Sequence, residues 1–126
     1  MWSMRLGQLD SFRMAAVQRF EDLMVEHWKE FFPAKCEAMG GPQVRELIRY
    51  GIRRAQMYEI TEEQDVSVFL DVMLVMGRDF DLCKENAWSL RILRESGGST
   101  STERVGRLRD ATLDRLRLKK EADAGI

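Results

Sequence analysis

The strongest pattern in the chain runs from Thr61 to Asp81, TEEQDVSVFLDVMLVMGRDFD, where every residue between Val66 and Met76 except Ser67 and Asp71 is apolar. No polar stripe wide enough to face water remains, and a helix apolar all round belongs at the centre of a helical domain. Thr61 and Gln64 form a T-x-x-Q capping box, Glu62, Glu63 and Asp65 put negative charge in the first turn, and Gly77 follows as a stop. These signals predict a helix over about residues 62–77, with a buried strand as the alternative that its valines leave open. Val66, Phe69, Leu70, Met73 and Gly77 share one face and Val68, Val72 and Val75 another, so two different neighbours can be packed at once.

The flanking segments carry one apolar face each. From about Gln8 to Phe31, Leu9, Phe12, Ala16, Phe20, Leu23, Met24, His27 and Phe31 recur at helical spacing. Pro33 starts a short helix that Gly40 and Gly41 end. Pro42 starts a third, with Val44, Leu47, Ile48, Ile52, Ala55 and Tyr58 on its apolar side and Gly51 in the middle of that side. A glycine inside a helix costs roughly 1 kcal/mol against alanine, so Gly51 predicts close approach of another backbone, the central helix being the candidate.

After the polar turn RDFDLCKEN, a short helix from about Asn86 to Glu95 offers Trp88, Ile92 and Leu93. Thr100 and Glu103 form a second capping box after the loop SGGSTST, and Val105, Leu108, Thr112, Leu113 and Leu116 line a last helix. The tail from about residue 119 to 126 has little to bury and is expected to fray. The reading is all-α: a single compact bundle spanning 1–126, of about five or six helices around the central one.

Composition narrows the function classes. A chain of 126 residues that is 44% hydrophobic and 33% charged has the balance of a globular domain. The central apolar run is too short for a bilayer, which needs roughly 20 apolar residues. A net charge of -1 gives no global field toward nucleic acid or anionic lipid. The N-terminal MWSMRLGQLD has no signal-like apolar core, which with two isolated cysteines, Cys36 and Cys83, predicts a cytoplasmic protein with free thiols.

Candidate chemistry is sparse, and no catalytic residue, metal site or cofactor site is predicted. His27 is the only histidine, lies on an apolar face and has no H-E-x-x-H spacing and no obvious carboxylate partner local in sequence, which favours a structural role. Asp79, Asp81 and Glu85 open like a calcium loop, but Cys83, Lys84 and Leu90 stand where a third ligand, a glycine and the closing glutamate are required. Gly97 and Gly98 lack the lysine of a phosphate loop and read as a hinge.

Charge patterning is the remaining signal. Thr61 to Asn86 holds seven acidic residues against two basic ones, while Pro42 to Ile60 holds four arginines against two glutamates. Arg45, Arg49 and Arg53 align at four-residue steps, either as a solvated, internally paired surface or as a docking face. They are candidate partner contacts, with Asp79, Phe80 and Asp81 on the other side. Lying opposite the apolar face, Arg49 and Arg53 are expected to tolerate reversal to glutamate without loss of fold.

The segment YEITEEQDVSVFLDVMLVMGRDFD, followed by AWSLRIL and TERVGRLRDATL, resembles a recurring pattern, Y-G-I-T…D-V…F…L-M…G…F-D, then W-A…I-L and R…R-L. The pattern belongs to small all-helical bacterial proteins encoded beside type VI secretion components and polymorphic toxin effectors, and the match covers roughly residues 45 to 116. Two positions depart from it: Glu59 replaces a glycine before Ile60 and Thr61, and Ala87 precedes Trp88 where proline is commoner. The resemblance implies a non-enzymatic protein-binding accessory of chaperone or adaptor type. Its partner would be a secreted effector or secretion component, with neither nucleic acid nor membrane involved. The alternatives are an immunity protein neutralising a toxin, or a small enzyme or nucleic-acid regulator with a scattered site.

Overall fold

The computed structural model describes residues 11–95 and 99–124, with side chains from 15 to 95 and 99 to 120. The start expected near Gln8 and the glycines at 97 and 98 lie outside the described residues. Six α-helices follow one another: α1 (Ser11–Phe31), α2 (Pro33–Met39), α3 (Gly41–Met57), α4 (Glu63–Met76), α5 (Ala87–Leu93) and α6 (Ser101–Ala124). Two single 3-10 turns, Phe80–Leu82 and Lys84–Asn86, join α4 to α5, and no strand occurs among the described residues. The fold is the all-α bundle that the apolar pattern predicts.

Helix α4 is its centre. Val66, Phe69, Leu70, Val72, Met73 and Leu74 are all buried, and α4 packs chiefly against α3 on one side and α6 on another. Gly77 ends it at φ 121°, a conformation that L side chains rarely adopt, with its N–H bonded to the carbonyl of Met73. The expected T-x-x-Q box does not form: Glu62 is the N-cap and makes no side-chain cap bond. The helix starts one residue too late for Thr61 to cap it, and Asp65 in its first turn is drawn sideways to α6. At the start of α6 the second box does form, Glu103 N–H donating to Thr100 Oγ1 at 3.0 Å and Thr100 N–H to Glu103 Oε1 at 2.8 Å.

Helix α1 is rotated from its expected phase. Its buried row is Ala16, Phe20, Met24 and Trp28, while Leu23 and Phe31 are 57% and 60% exposed. The heavier ring of Trp28, wholly buried, fixes that phase. Helix α6 buries Val105, Leu108 and Thr112 but leaves Leu113 and Leu116 exposed, Leu113 lying about 100° round the helix from Thr112. Its helical backbone continues to Ala124, Lys119, Lys120, Glu121 and Ala122 all being good helix formers.

Glu59, just after α3, has φ 60°. A residue in this left-handed conformation is normally glycine, because a β-carbon is crowded there. Tyr58 and Ile60 on either side are buried, so the chain is held in this turn by packing.

Gly51 makes room for side chains of α4 rather than for the close backbone approach that its place in the helix predicts. A β-carbon there would lie 2.0 Å from Leu70 Cδ2 and 2.6 Å from Met73 Cε, both on buried side chains of α4. Gly51→Leu is expected to lower the unfolding free energy by about 1–3 kcal/mol through overpacking, measured by urea titration; an unchanged midpoint would show that α3 and α4 do not cross here.

Candidate functional site: the groove between α1 and α4

The arginine stripe is largely internal in its use. Arg49 Nε donates to Glu21 Oε2 at 2.9 Å, and Arg45 reaches Glu21 Oε1 at 3.5 Å and Asp22 Oδ1 at 2.8 Å. Glu21 is 4% exposed, so these arginines clamp α3 onto α1 by matching a carboxylate withdrawn from water. Arg53, one turn further on, is exposed and has no hydrogen bond among the described residues. Of the three it alone makes no ion pair among the described residues, though, after the hydrogen bond and charge of Arg78, its charge helps to lower the pKa of Glu46.

The acidic candidates divide in the same way. Asp79 is exposed and accepts a hydrogen bond from the Tyr50 hydroxyl. Beside it Arg78 forms a forked pair with Glu46 at 2.9 and 3.0 Å and stacks on Tyr50. Phe80 and Asp81 are 1% and 2% exposed, which corrects their expected role as contact residues. Phe80 packs on Phe69 of α4 at a centroid distance of 5.5 Å. Asp81 accepts hydrogen bonds from Arg54 and from the Tyr58 hydroxyl, tying the turn after α4 back to the end of α3. Burial, aided by the hydrogen bond to Asp81 and its charge, pushes Tyr58 from 10.0 up to about 12.

What remains open is a groove of about 980 Å³ between α1 and the first half of α4. Phe20, Leu23, Met24 and Val68 supply its apolar wall, and Glu62, Glu63, Asp65 and Asp71 its acidic rim, with Arg19 at one side. Removal from water raises the pKa of Glu63, against the pull of Arg19. Two acids of the rim, Asp65 and Asp71, are fixed by neighbouring helices. Asp65, 5% exposed, accepts from Thr102 Oγ1 at 2.9 Å and Ser101 Oγ at 3.2 Å on α6. Asp71 accepts from Trp28 Nε1 at 2.9 Å through Oδ1, while its Oδ2 lies 2.9 Å from His27 Nε2 on α1.

His27 therefore has an orienting carboxylate, supplied by a helix distant in sequence. The pair is half-exposed, 36% and 32% for the two side chains, and His27 also packs on Phe31. Orientation of an imidazole by a carboxylate is one half of a general-base arrangement. The other half, a nucleophile, is not supplied by Ser67, whose hydroxyl is bonded to the carbonyl of Gln64 at 2.7 Å. Among the described residues no group of His, Cys, Asp and Glu side chains is placed to hold a metal ion. Cys36 is half-buried, and that burial raises its thiol pKa.

A second cavity, about 620 Å³, lies where α3, α5 and α6 meet, with Arg54, Arg94 and Arg104 around Tyr58. Arg104 is held by the backbone carbonyls of Tyr58 and Leu93, and Arg54 by Asp81, so the cavity serves mainly to join three helix ends.

Two outcomes check this account. Arg49→Glu, which places a second carboxylate against Glu21, is expected to lower the melting temperature by several degrees, reversing the expectation that it leaves the fold untouched. Arg53→Glu is expected to keep it within about two degrees; equal effects would remove the distinction between clamp and surface. For Tyr58 the sign follows from the proton being held more tightly in the folded state. Its contribution is complete below pH 10.0, the ordinary value, and is lost as pH rises toward about 12. Denaturant unfolding across that window is expected to show falling stability in the wild type and a flatter profile in Tyr58→Phe; identical slopes would exclude Tyr58 as the titrating group.

Compared with protein-family models, with curated proteins and with solved structures, the chain matches none, so a functional reading rests on this groove and on the sequence.

Proposed function

We propose that the protein is a non-enzymatic protein-binding accessory that receives a basic, apolar-faced segment of a partner in the α1–α4 groove. The observation that carries this reading is the pairing of an apolar wall with an acidic rim, beside which Leu23 and Phe31 stand 57% and 60% exposed. Large side chains left in water along a groove favour a helix-in-groove mode of binding. The rim charges would set partner choice and on-rate more than affinity. The resemblance to small bacterial proteins encoded beside type VI secretion components supports a secreted effector or secretion component as the partner, bound in a chaperone-like or adaptor-like role. Arg53 and Asp79, exposed at other faces, are secondary contacts in this reading.

The His27–Asp71 pair is the one observation favouring an enzyme, and an immunity role would use the same groove against a toxin. The deciding experiment measures affinity for the product of the adjacent effector gene. Leu23→Lys with Glu63→Lys is expected to weaken binding at least tenfold, mainly through a slower on-rate, while Arg53→Glu has a smaller effect. Unchanged affinity in the groove variant would reject the groove as the contact face. An enzyme is indicated instead if His27→Gln abolishes a turnover while that affinity is retained. An immunity protein is indicated if expression of the chain alone protects cells from the adjacent toxin.

A further inference from the structure

The molecule has a second exposed apolar surface, and its charge is opposite to that of the groove. Leu113, Leu116 and Leu118 on α6 are 56%, 37% and 60% exposed. At 100° per residue, Leu113 and Leu116 lie on one stripe with Arg109, Arg117 and Lys120. Of these, Arg109 and Arg117 make only solvent-exposed pairs with Asp110 and Asp114, at 3.3 and 3.0 Å, which are weak and easily exchanged. Arg115 lies on another side of the helix, over the Trp88 ring, and holds α6 to α5. The outer end of α6 is thus a basic helix with an apolar stripe, the chemistry that the acidic α1–α4 groove fits.

It cannot reach the groove of its own molecule. Thr102, at the start of α6, already lines that groove, and Leu116 lies on the same helix roughly 20 Å further along at 1.5 Å per residue. We propose that the α6 end of one copy docks in the α1–α4 groove of a second copy. Leu113 and Leu116 would cover Leu23 and Val68, and Arg117 and Lys120 would face Glu63. This inference rests on the groove reading above and adds self-association as a competitor of the partner. The contact is head-to-tail, joining two different surfaces, so each copy offers both a donor helix and an acceptor groove.

Sedimentation velocity on the full chain tests it. The wild type is expected to rise from 14.7 kDa toward multiples of that mass with increasing concentration, and to fall back as salt is raised. The groove variant Leu23→Lys/Glu63→Lys and the helix-end variant Leu113→Ser/Leu116→Ser are each expected to stay monomeric alone, with wild-type circular dichroism. Mixed together they are expected to form a one-to-one complex, because each keeps the surface that the other lacks. A wild type that is monomeric at every concentration overturns the proposal, as does a mixture that stays monomeric. Self-association retained by the groove variant points to α6 meeting α6, and self-association retained by the helix-end variant points to groove meeting groove; either overturns it too. The two readings fail separately. A monomeric wild type whose partner binding is lost in the groove variant removes only self-association. A complementing mixture with undiminished partner affinity removes only the partner site.

Discussion

Helix α4 has almost no side free for water, yet it carries three carboxylates, and the arrangement of the bundle follows from how two of them, Asp65 and Asp71, are matched. A carboxylate taken out of water must find hydrogen-bond donors, and the apolar surroundings of α4 offer none nearby in sequence. Asp65 takes its donors from the hydroxyls of Ser101 and Thr102, Asp71 from the indole of Trp28 and the imidazole of His27. The first fixes where α6 begins against the core, the second fixes the rotation of α1. Where a third helix must approach without a polar contact, Gly51 removes the obstacle. Hydrophobic burial drives the helices together without direction, and these local fittings select one register.

Much of this was legible in the chain because its signals are local. The apolar block of α4, the prolines opening α2 and α3, the Thr100–Glu103 box and the missing β-carbon of Gly51 each act within a few residues or through one absent atom. The pairings that form the groove act over longer spans, Asp71 with His27 across 44 residues and Thr102 with Asp65 across 37. Helical periodicity says which side of α1 is apolar but not which of two adjacent rows turns inward, and Trp28 decided that. The same limitation hid the exposure of Leu113 and Leu116, since the row of Val105, Leu108 and Thr112 is the one that turns inward. The one cue to the groove in the sequence was the presence of Asp71 inside an apolar run.

The charge asymmetry of the sequence has a similar resolution. Arginines of α3 meet acids from α1 at Glu21 and Asp22 and from the turn after α4 at Asp81, while Arg78 meets Glu46. These contacts consume much of the apparent dipole between the two segments. Of the acids around the groove, Asp65 and Asp71 turn to donors on α6 and α1, and Glu63 stays half-exposed in the same groove as the uncovered Leu23.

The spacing of these contacts along the chain also orders the assembly of the fold in time. The crossing of α3 on α4 joins neighbouring helices through a short connection, and little chain entropy is lost in closing it. The carboxylate contacts of α4 with α1 and α6 enclose much longer loops and gain their full strength only once water has been excluded around them. The α3–α4 pair is therefore the natural nucleus. The groove, built from the last contacts to close, is the region of the bundle that can open while the nucleus remains intact.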